Sequence, residues 1–208
     1  MNVIRFGRKV LQVLKEDGLG RVANLTLASL PIPQAHSFKW KAGIKSEVIF
    51  WNKYLRTSGL HWPETFRFRT DPDAMLQSRP AELLPDHEAV QILDVGAGPF
   101  TYLGKKCEGR EIKITAVDPL ADEYDELLEK HNVEPPVRTI KVDGERLTET
   151  FEVDTFDLVF ARNCIDHSYN PEQAILEMIS VCKPDCYVLL EHRPNEAENE
   201  RYVGLHQW

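Results

Sequence analysis

From residue 90 onward, short apolar runs alternate with amphipathic stretches, a rhythm that predicts βαβ units and a parallel sheet. The apolar runs predict strands over 90–95, 112–117, 137–142, 156–161 and 186–191, with helices at about 99–108, 120–131, 145–151 and 171–182. The last helix has the plainest start signal, with Asn170 as N-cap, Pro171 at the first helical position and Gln173 to complete a capping box. Ala174, Ile175, Met178, Ile179 and Cys182 form its apolar face, and Lys183-Pro184-Asp185 ends it and turns the chain into the next strand.

The first ninety residues follow a helical period instead. Apolar positions over 3–15 are interleaved with Arg5, Arg8, Lys9 and Lys15, which predicts an amphipathic helix packed on the core, a membrane-surface helix being the alternative. Pro31-Ile32-Pro33 breaks the pattern, and a second helix is expected to begin near Ser46, carrying Val48, Ile49, Trp51, Tyr54 and Leu55 on one repeat. Trp40, Trp51 and Trp62 fall in this region with Phe38, Phe50, Tyr54, Phe66 and Phe68. Such aromatic density either lines a substrate pocket, with Trp51 as a contact, or forms the core of a helical cap. Arg67 and Arg69 are candidate carboxylate clamps. The expected organisation is a helical cap or lid over 1–89 and an α/β domain over 90–208.

At 208 residues the chain can hold one main core, or a core with a helical appendage. Apolar and charged fractions of 42% and 28% are ordinary globular values, which argues against disorder and against a membrane protein. A net charge of −8 disfavours general nucleic-acid binding, which needs a basic surface. No run approaches the roughly 18 apolar residues of a membrane span, and the N-terminus lacks secretory features, so a cytoplasmic location is the default expectation. Cys107, Cys164, Cys182 and Cys186 form no CxxC pair and read as buried thiols of a reducing cell; no metal centre is expected.

The chemistry concentrates at strand ends. The segment ILDVGAGPFT, residues 92–101, leaves an apolar strand through two glycines and is expected to bring backbone N–H groups beside a ligand. A dinucleotide enzyme uses such a turn for pyrophosphate, but Thr101 stands where the GxGxxG fingerprint has its third glycine. Asp94, just before the turn, would repel a pyrophosphate and suits a cationic ligand such as S-adenosylmethionine, with its sulfonium and ammonium groups; capping of the turn is the alternative. Asp118 ends the second strand twenty residues beyond Gly98, where an acid accepts from both ribose hydroxyls. Asp143, beside Gly144 after the third strand, either accepts from an adenine amino group or caps a helix.

In their order and spacing, LDVGAG (93–98), AVDP (116–119), VDGERL (142–147) and FDLVFARNCIDH (156–167) resemble the successive motifs of class I S-adenosylmethionine-dependent methyltransferases. The resemblance spans about residues 90–192. It implies a doubly wound, mainly parallel Rossmann-like sheet with S-adenosylmethionine as cofactor. It sets Asp94, Gly96 and Gly98 against the methionine part, Asp118 against the ribose and Asp143 against the adenine, with Ala97, Pro119, Gly144 and Asn163 as further cofactor-binding residues. Family members complete a seven-stranded sheet, whereas only five strands are readable before Gly204-Leu205-His206-Gln207-Trp208. The last two strands are therefore expected to be missing, the edge being covered by a second copy or a larger chain.

The resemblance also sets Arg162–His167 where the methyl meets its acceptor. His167 is the candidate general base, because an ordinary imidazole, titrating at about 6.5, is matched to a hydroxyl that sheds its proton at neutral pH. Asp166 or Glu191 would orient it; the alternative is that His167 packs beneath the cofactor. Alignment of the reacting atoms at about 3 Å supplies several kcal/mol without any base. His192, in the polar run 191–196, is a candidate substrate contact, and Asp166 with Glu191 is the pair that a divalent cation would use. The Asn/Asp-Pro-Pro-aromatic motif of the DNA-adenine branch is absent at 161–164, which disfavours a nucleic-acid acceptor. The expected activity is O-methylation of a small hydroxylated metabolite or a glycan sugar. The rivals are a non-catalytic nucleoside-binding module of a larger complex and, against Asp94 and the missing glycine, an NAD-dependent oxidoreductase.

Overall fold

The computed structural model describes residues 36–199 together with Leu205 and His206. The expected helix over 3–15 and the break at 31–33 lie outside the described residues, as do the side chains of Phe38 and Trp40.

Five strands, β1 (Ala89–Val95), β2 (Glu111–Val117), β3 (Thr139–Ile140), β4 (Phe156–Arg162) and β5 (Cys182–Glu191), form one sheet in the order β3-β2-β1-β4-β5. All four pairings are parallel. The chain winds outward from β1 through β2 to β3, then crosses back to β4. That reversal leaves a crevice beyond the carboxyl ends of β1 and β4, the position where open α/β sheets bind ligands.

The two central strands are apolar because both of their faces are covered. On one face Leu93, Val95, Val117, Val159 and Ala161 pack against Val142, Leu147, Met178 and Val181. On the other, Val90, Ile92, Leu158 and Phe160 meet Leu76, Leu84, Leu103 and Leu189. Neighbouring residues of β1 thus serve opposite layers, as the two-residue period of a strand requires.

Among the described residues three helices precede the sheet: α1 (His36–Arg56), α2 (Pro63–Thr70) and α3 (Ser78–Glu82). Helix α1 begins ten residues before the Ser46 start expected from the sequence. It joins α4 (Ala121–His131) through a cluster of Trp51, Tyr54, Leu55, Phe100, Leu120, Tyr124, Leu127 and Leu128. Helix α5 (Pro171–Val181) starts as its sequence signal requires, Asn170 Oδ1 accepting from Gln173 N at 3.2 Å. The reciprocal arm of the capping box is not made, since Gln173 Nε2 donates instead to Glu177 Oε1 at 3.0 Å. A short α6 (Glu196–Asn199) follows β5.

Other elements depart from the periodic reading. Residues 99–108 are not helical: Gly104 lies against the backbone of Met75, where a side chain would collide, and Leu103 N donates to Thr101 Oγ1 rather than into a helical ladder. The strand expected over 137–142 shrinks to Thr139–Ile140, an edge strand paired with β2 alone. The helix expected at 145–151 is a 3-10 helix, Gly144–Glu149. Lys183-Pro184-Asp185 does not precede the last strand but lies inside it: β5 starts at Cys182, Asp185 takes a φ of 62°, and the register with β4 shifts there, so the turn signal is spent on a bulge.

Candidate functional site

The turn after β1 is built on two left-handed residues, Gly96 at φ 69° and Gly98 at φ 68°. Glycine is required twice over, by conformation and by crowding. A Cβ on Gly96 would meet the Cys164 side chain, with Sγ 2.6 Å away, and one on Gly98 would stand 2.7 Å from Trp51 Cζ2. The N–H groups of this turn are not held out for a ligand, contrary to the reading from sequence. Gly96 N and Ala97 N donate to Val117 O at 2.8 and 3.1 Å, and Gly98 N donates to Asp118 Oδ2 at 3.1 Å. Strand β2 ends beside the turn, so its last carbonyl and the next carboxylate take up those donors.

Asp94 and Asp118 both lie out of water. Asp94 Oδ2 accepts from Thr101 Oγ1 at 2.5 Å beneath the turn, and burial pushes its pKa up to about 6. It does not line the adjoining cavity. Asp118 does, while accepting from Gly98 N and, at 2.9 Å, from Leu120 N. Burial pushes it up to about 7 against those two bonds.

The cavity, about 550 Å³, lies between the carboxyl ends of β1 and β4 and the helices α1 and α2. Gly96, Ala97 and Gly98 form one wall; Pro119, Gly144 and Asn163 approach from the ends of the neighbouring strands. Trp51 and Arg69, the two expected substrate contacts from the N-terminal region, also line it. Asp143 and His192 do not, and Asp143 makes no capping bond to the 3-10 helix that follows. Asn163, at φ 48°, turns the chain away from β4, its N–H donating to Glu191 O at 3.0 Å.

Arg69 is withdrawn into an aromatic nest. Its guanidinium carbon stands 5.5, 5.8 and 5.3 Å from the ring centres of Trp51, Phe100 and Tyr102, and Nη1 donates to Phe100 O at 2.8 Å. Arg69 Nε and Tyr54 Oη are buried without a hydrogen-bond partner among the described residues. Both belong to residues on the cavity wall. A buried guanidinium with an unspent donor calls for an anion.

At the far end, Asp166 and His167 share the 3-10 turn Ile165–His167 after β4. His206 joins them: its Nδ1 lies 2.5 Å from Asp166 Oδ2 and 3.2 Å from His167 Nε2. Burial opposes ionisation of Asp166, but the hydrogen bond with His206 and the nearby charge on both rings hold its carboxyl below the ordinary value. Glu191 is not part of this group, because Arg162 engages it at 3.1 Å. The expected Asp166–Glu191 cation pair is therefore not assembled. Cys164 gives its thiol proton to Val95 O at 3.1 Å, and burial holds its pKa well above the usual thiol value, which leaves it unreactive.

Several cavity residues take roles the sequence did not assign. Tyr54 stood among the aromatic residues of the cap region, without a part of its own. Glu145 lies inside a quoted motif, but its task, accepting from Tyr169 N at 3.0 Å and Asn170 N at 3.3 Å, depends on the loop before α5. Arg162 lies in a quoted motif, but its stacking 3.7 Å over Tyr102 was not legible there, and His206, forty residues beyond Asp166, carries no spacing signal at all.

Residues 93–190 match the family model of a methyltransferase domain. No curated protein sequence matches the chain. Among solved structures it is similar to a SAM-dependent methyltransferase from Aquifex aeolicus, at 22% identity over 60% of this chain and 64% of that one, with a TM-score of 0.41. It is also similar to a SAM-dependent methyltransferase from Thermotoga maritima, at 22% identity over 67% of this chain and 58% of that one, TM-score 0.42. A Haloferax volcanii methyltransferase solved with the Trm112 activator shares 14% identity over 74% of this chain and 67% of that one, TM-score 0.47. The chain thus spans roughly half to two thirds of the length of the proteins it resembles. No helix among the described residues is long and apolar enough to cross a membrane.

Proposed function

We propose that the chain is a class I S-adenosylmethionine-dependent methyltransferase, which uses the methyltransferase domain matched over residues 93–190 to methylate a hydroxyl of a small metabolite or glycan sugar. The observation that carries this reading is the cavity itself, an acid-ended crevice at the strand-order reversal with a buried arginine at one end and an Asp166–His167–His206 cluster at the other. The cofactor supplies an electrophilic methyl on a sulfonium.

Its groups fit the residues present. Arg69 Nε and Tyr54 Oη, buried and unpaired, suit the amino-acid carboxylate. Each oxygen of Asp118 already accepts one backbone N–H and keeps a second lone pair for a ribose hydroxyl. Asp94, beneath the turn, adds negative potential under the cationic part without touching it. Trp51 walls the same cavity, and Trp62, half exposed, stands at its rim, an apolar face of the kind a sugar ring packs on. Helices α1 and α2 act as the lid of this crevice, which is the role assigned to the cap over 1–89. At the acceptor end the reaction needs an oxygen aligned with the methyl and relieved of its proton; Asp166 and His167 provide for both. Strand β5 is an edge strand with Tyr187 exposed, which supports its being covered by a second copy or a further segment.

Calorimetric titration with S-adenosylhomocysteine and with NADH tests the cofactor class, and release of S-adenosylhomocysteine during a screen of hydroxylated acceptors tests the reaction. Binding of S-adenosylhomocysteine alone, with turnover on a hydroxyl acceptor, is the expected result. Binding without turnover on any acceptor would favour a nucleoside-binding module, and binding of NADH would overturn the assignment.

A further inference from the structure

We propose that Asp166, His167 and His206 bind a divalent transition-metal cation at the acceptor end of the cavity. What the cation would do there rests on the methyl-transfer reading; that it binds does not.

Three atoms of different parts of the chain converge. Asp166 Oδ2 and His167 Nε2 come from the turn after β4, and His206 Nδ1 from the segment beyond α6. Their separations are 2.5 Å for Asp166–His206, 3.2 Å for His167–His206 and 3.7 Å for Asp166–His167. Ligands held at about 2.1 Å from one cation stand roughly 3.0 to 3.4 Å apart in octahedral or tetrahedral geometry. The three observed separations bracket that spacing, and the three residues meet the geometric requirement for a shared ion.

Each of the three atoms can offer a lone pair to one cation: the carboxylate oxygen of Asp166, and each ring nitrogen in the tautomer that carries its proton on the other nitrogen. The donor set of two imidazoles and one carboxylate suits zinc and its first-row neighbours, whereas magnesium and calcium prefer oxygen throughout.

The cluster is also suitably placed. Side-chain exposures of 12% for Asp166, 21% for His167 and 27% for His206 mean that little water is displaced on binding. Both histidines line the cavity, so remaining coordination positions face the acceptor. With one carboxylate against two charges the site stays net positive, which lowers the pKa of a coordinated hydroxyl. That hydroxyl loses its proton to water; the oxygen forms its bond to the methyl carbon as the carbon–sulfur bond breaks and its electron pair returns to sulfur. In this form His167 gives its lone pair to the cation rather than to a proton.

The test uses the chain freed of metal by chelation and titrated with zinc chloride, with magnesium chloride as the comparison and cobalt(II) as a spectroscopic probe. One equivalent of zinc is expected, with visible d–d bands for cobalt bound to nitrogen and oxygen, and no magnesium binding. Asp166→Asn and His206→Ala should each weaken zinc at least tenfold, while His87→Ala, at an exposed and distant position, leaves it unchanged. The circular dichroism spectrum and urea midpoint of each variant are recorded as well, and unchanged values there certify its fold. No zinc binding, or stoichiometric binding indifferent to both His206→Ala and Asp166→Asn, would overturn the proposal. Failure of S-adenosylhomocysteine to bind the unaltered chain would sink the methyl-transfer reading and leave the zinc titration to be judged alone.

Discussion

Gly98 N–H donates to Asp118 Oδ2 across 3.1 Å, and this bond ties the turn after β1 to the end of β2. The other oxygen of the same carboxylate takes the N–H of Leu120 at 2.9 Å, so one side chain holds both the glycine turn and the entrance to α4. Replacing it therefore affects fold and ligand together. Asp118→Ala is expected to cost about 1–3 kcal/mol of stability, because a buried donor loses its acceptor. It should also lower S-adenosylhomocysteine affinity by at least tenfold. Urea unfolding and calorimetry read the two effects separately.

The pH dependence follows from Asp94 and Asp118, whose folded pKa values of about 6 and about 7 lie above the unfolded value of 3.8. Folding favours their protonated forms, so their stabilising contribution is complete below the unfolded pKa and is lost as the pH rises through the folded values. The unliganded chain should lose stability between about pH 4 and 7, the interval from the unfolded to the folded values, and Asp118→Asn should flatten that slope. A nucleoside that donates hydroxyls to ionised Asp118 shifts the balance the other way. Its affinity should fall as the pH drops through 7, with proton release visible in buffers of different ionisation enthalpy. An affinity constant over that range would count against Asp118 as the ribose acceptor.

Arg69→Met keeps much of the side-chain volume in the nest of Trp51, Phe100 and Tyr102 and removes the charge. Affinity for S-adenosylhomocysteine should drop at least tenfold, while affinity for methylthioadenosine, which lacks the amino-acid carboxylate, should change little. An equal loss for both ligands would assign Arg69 to structure alone.

Gly98→Ala meets two obstacles, a φ of 68° and the Trp51 ring 2.7 Å from the new Cβ. Left-handed strain alone costs on the order of 1–3 kcal/mol. The double variant with Trp51→Ala relieves the collision but not the strain, so it should recover only part of the ligand affinity that Gly98→Ala removes.

The separate elements were unequally legible. Strands β1, β2 and β4 stand out in the sequence because burial on both faces demands unbroken apolar runs, and the start of α5 because Asn170 and Pro171 act locally. Residues 99–108 carry a helix-like pattern, yet their conformation is dictated by Met75, which approaches Gly104 from a distant part of the chain. Asp94, Gly96, Gly98 and Asp118 are correctly brought to one place by their spacing, but the direction of the turn's N–H groups depends on how β2 pairs with β1.

By itself the sequence determined the parallel α/β alternation, the two glycines that need a left-handed backbone, and the match of residues 93–190 to a methyltransferase-domain model. These are local properties, written in apolar period, backbone freedom and short motifs. Only the tertiary structure decided that Arg69 lines the cavity with its Nε unspent, that Glu191 pairs with Arg162 rather than Asp166, and that His206 meets Asp166 and His167. Those are contacts between segments far apart in the chain, and no period or spacing encodes which side chains a folded sheet edge brings within bonding distance.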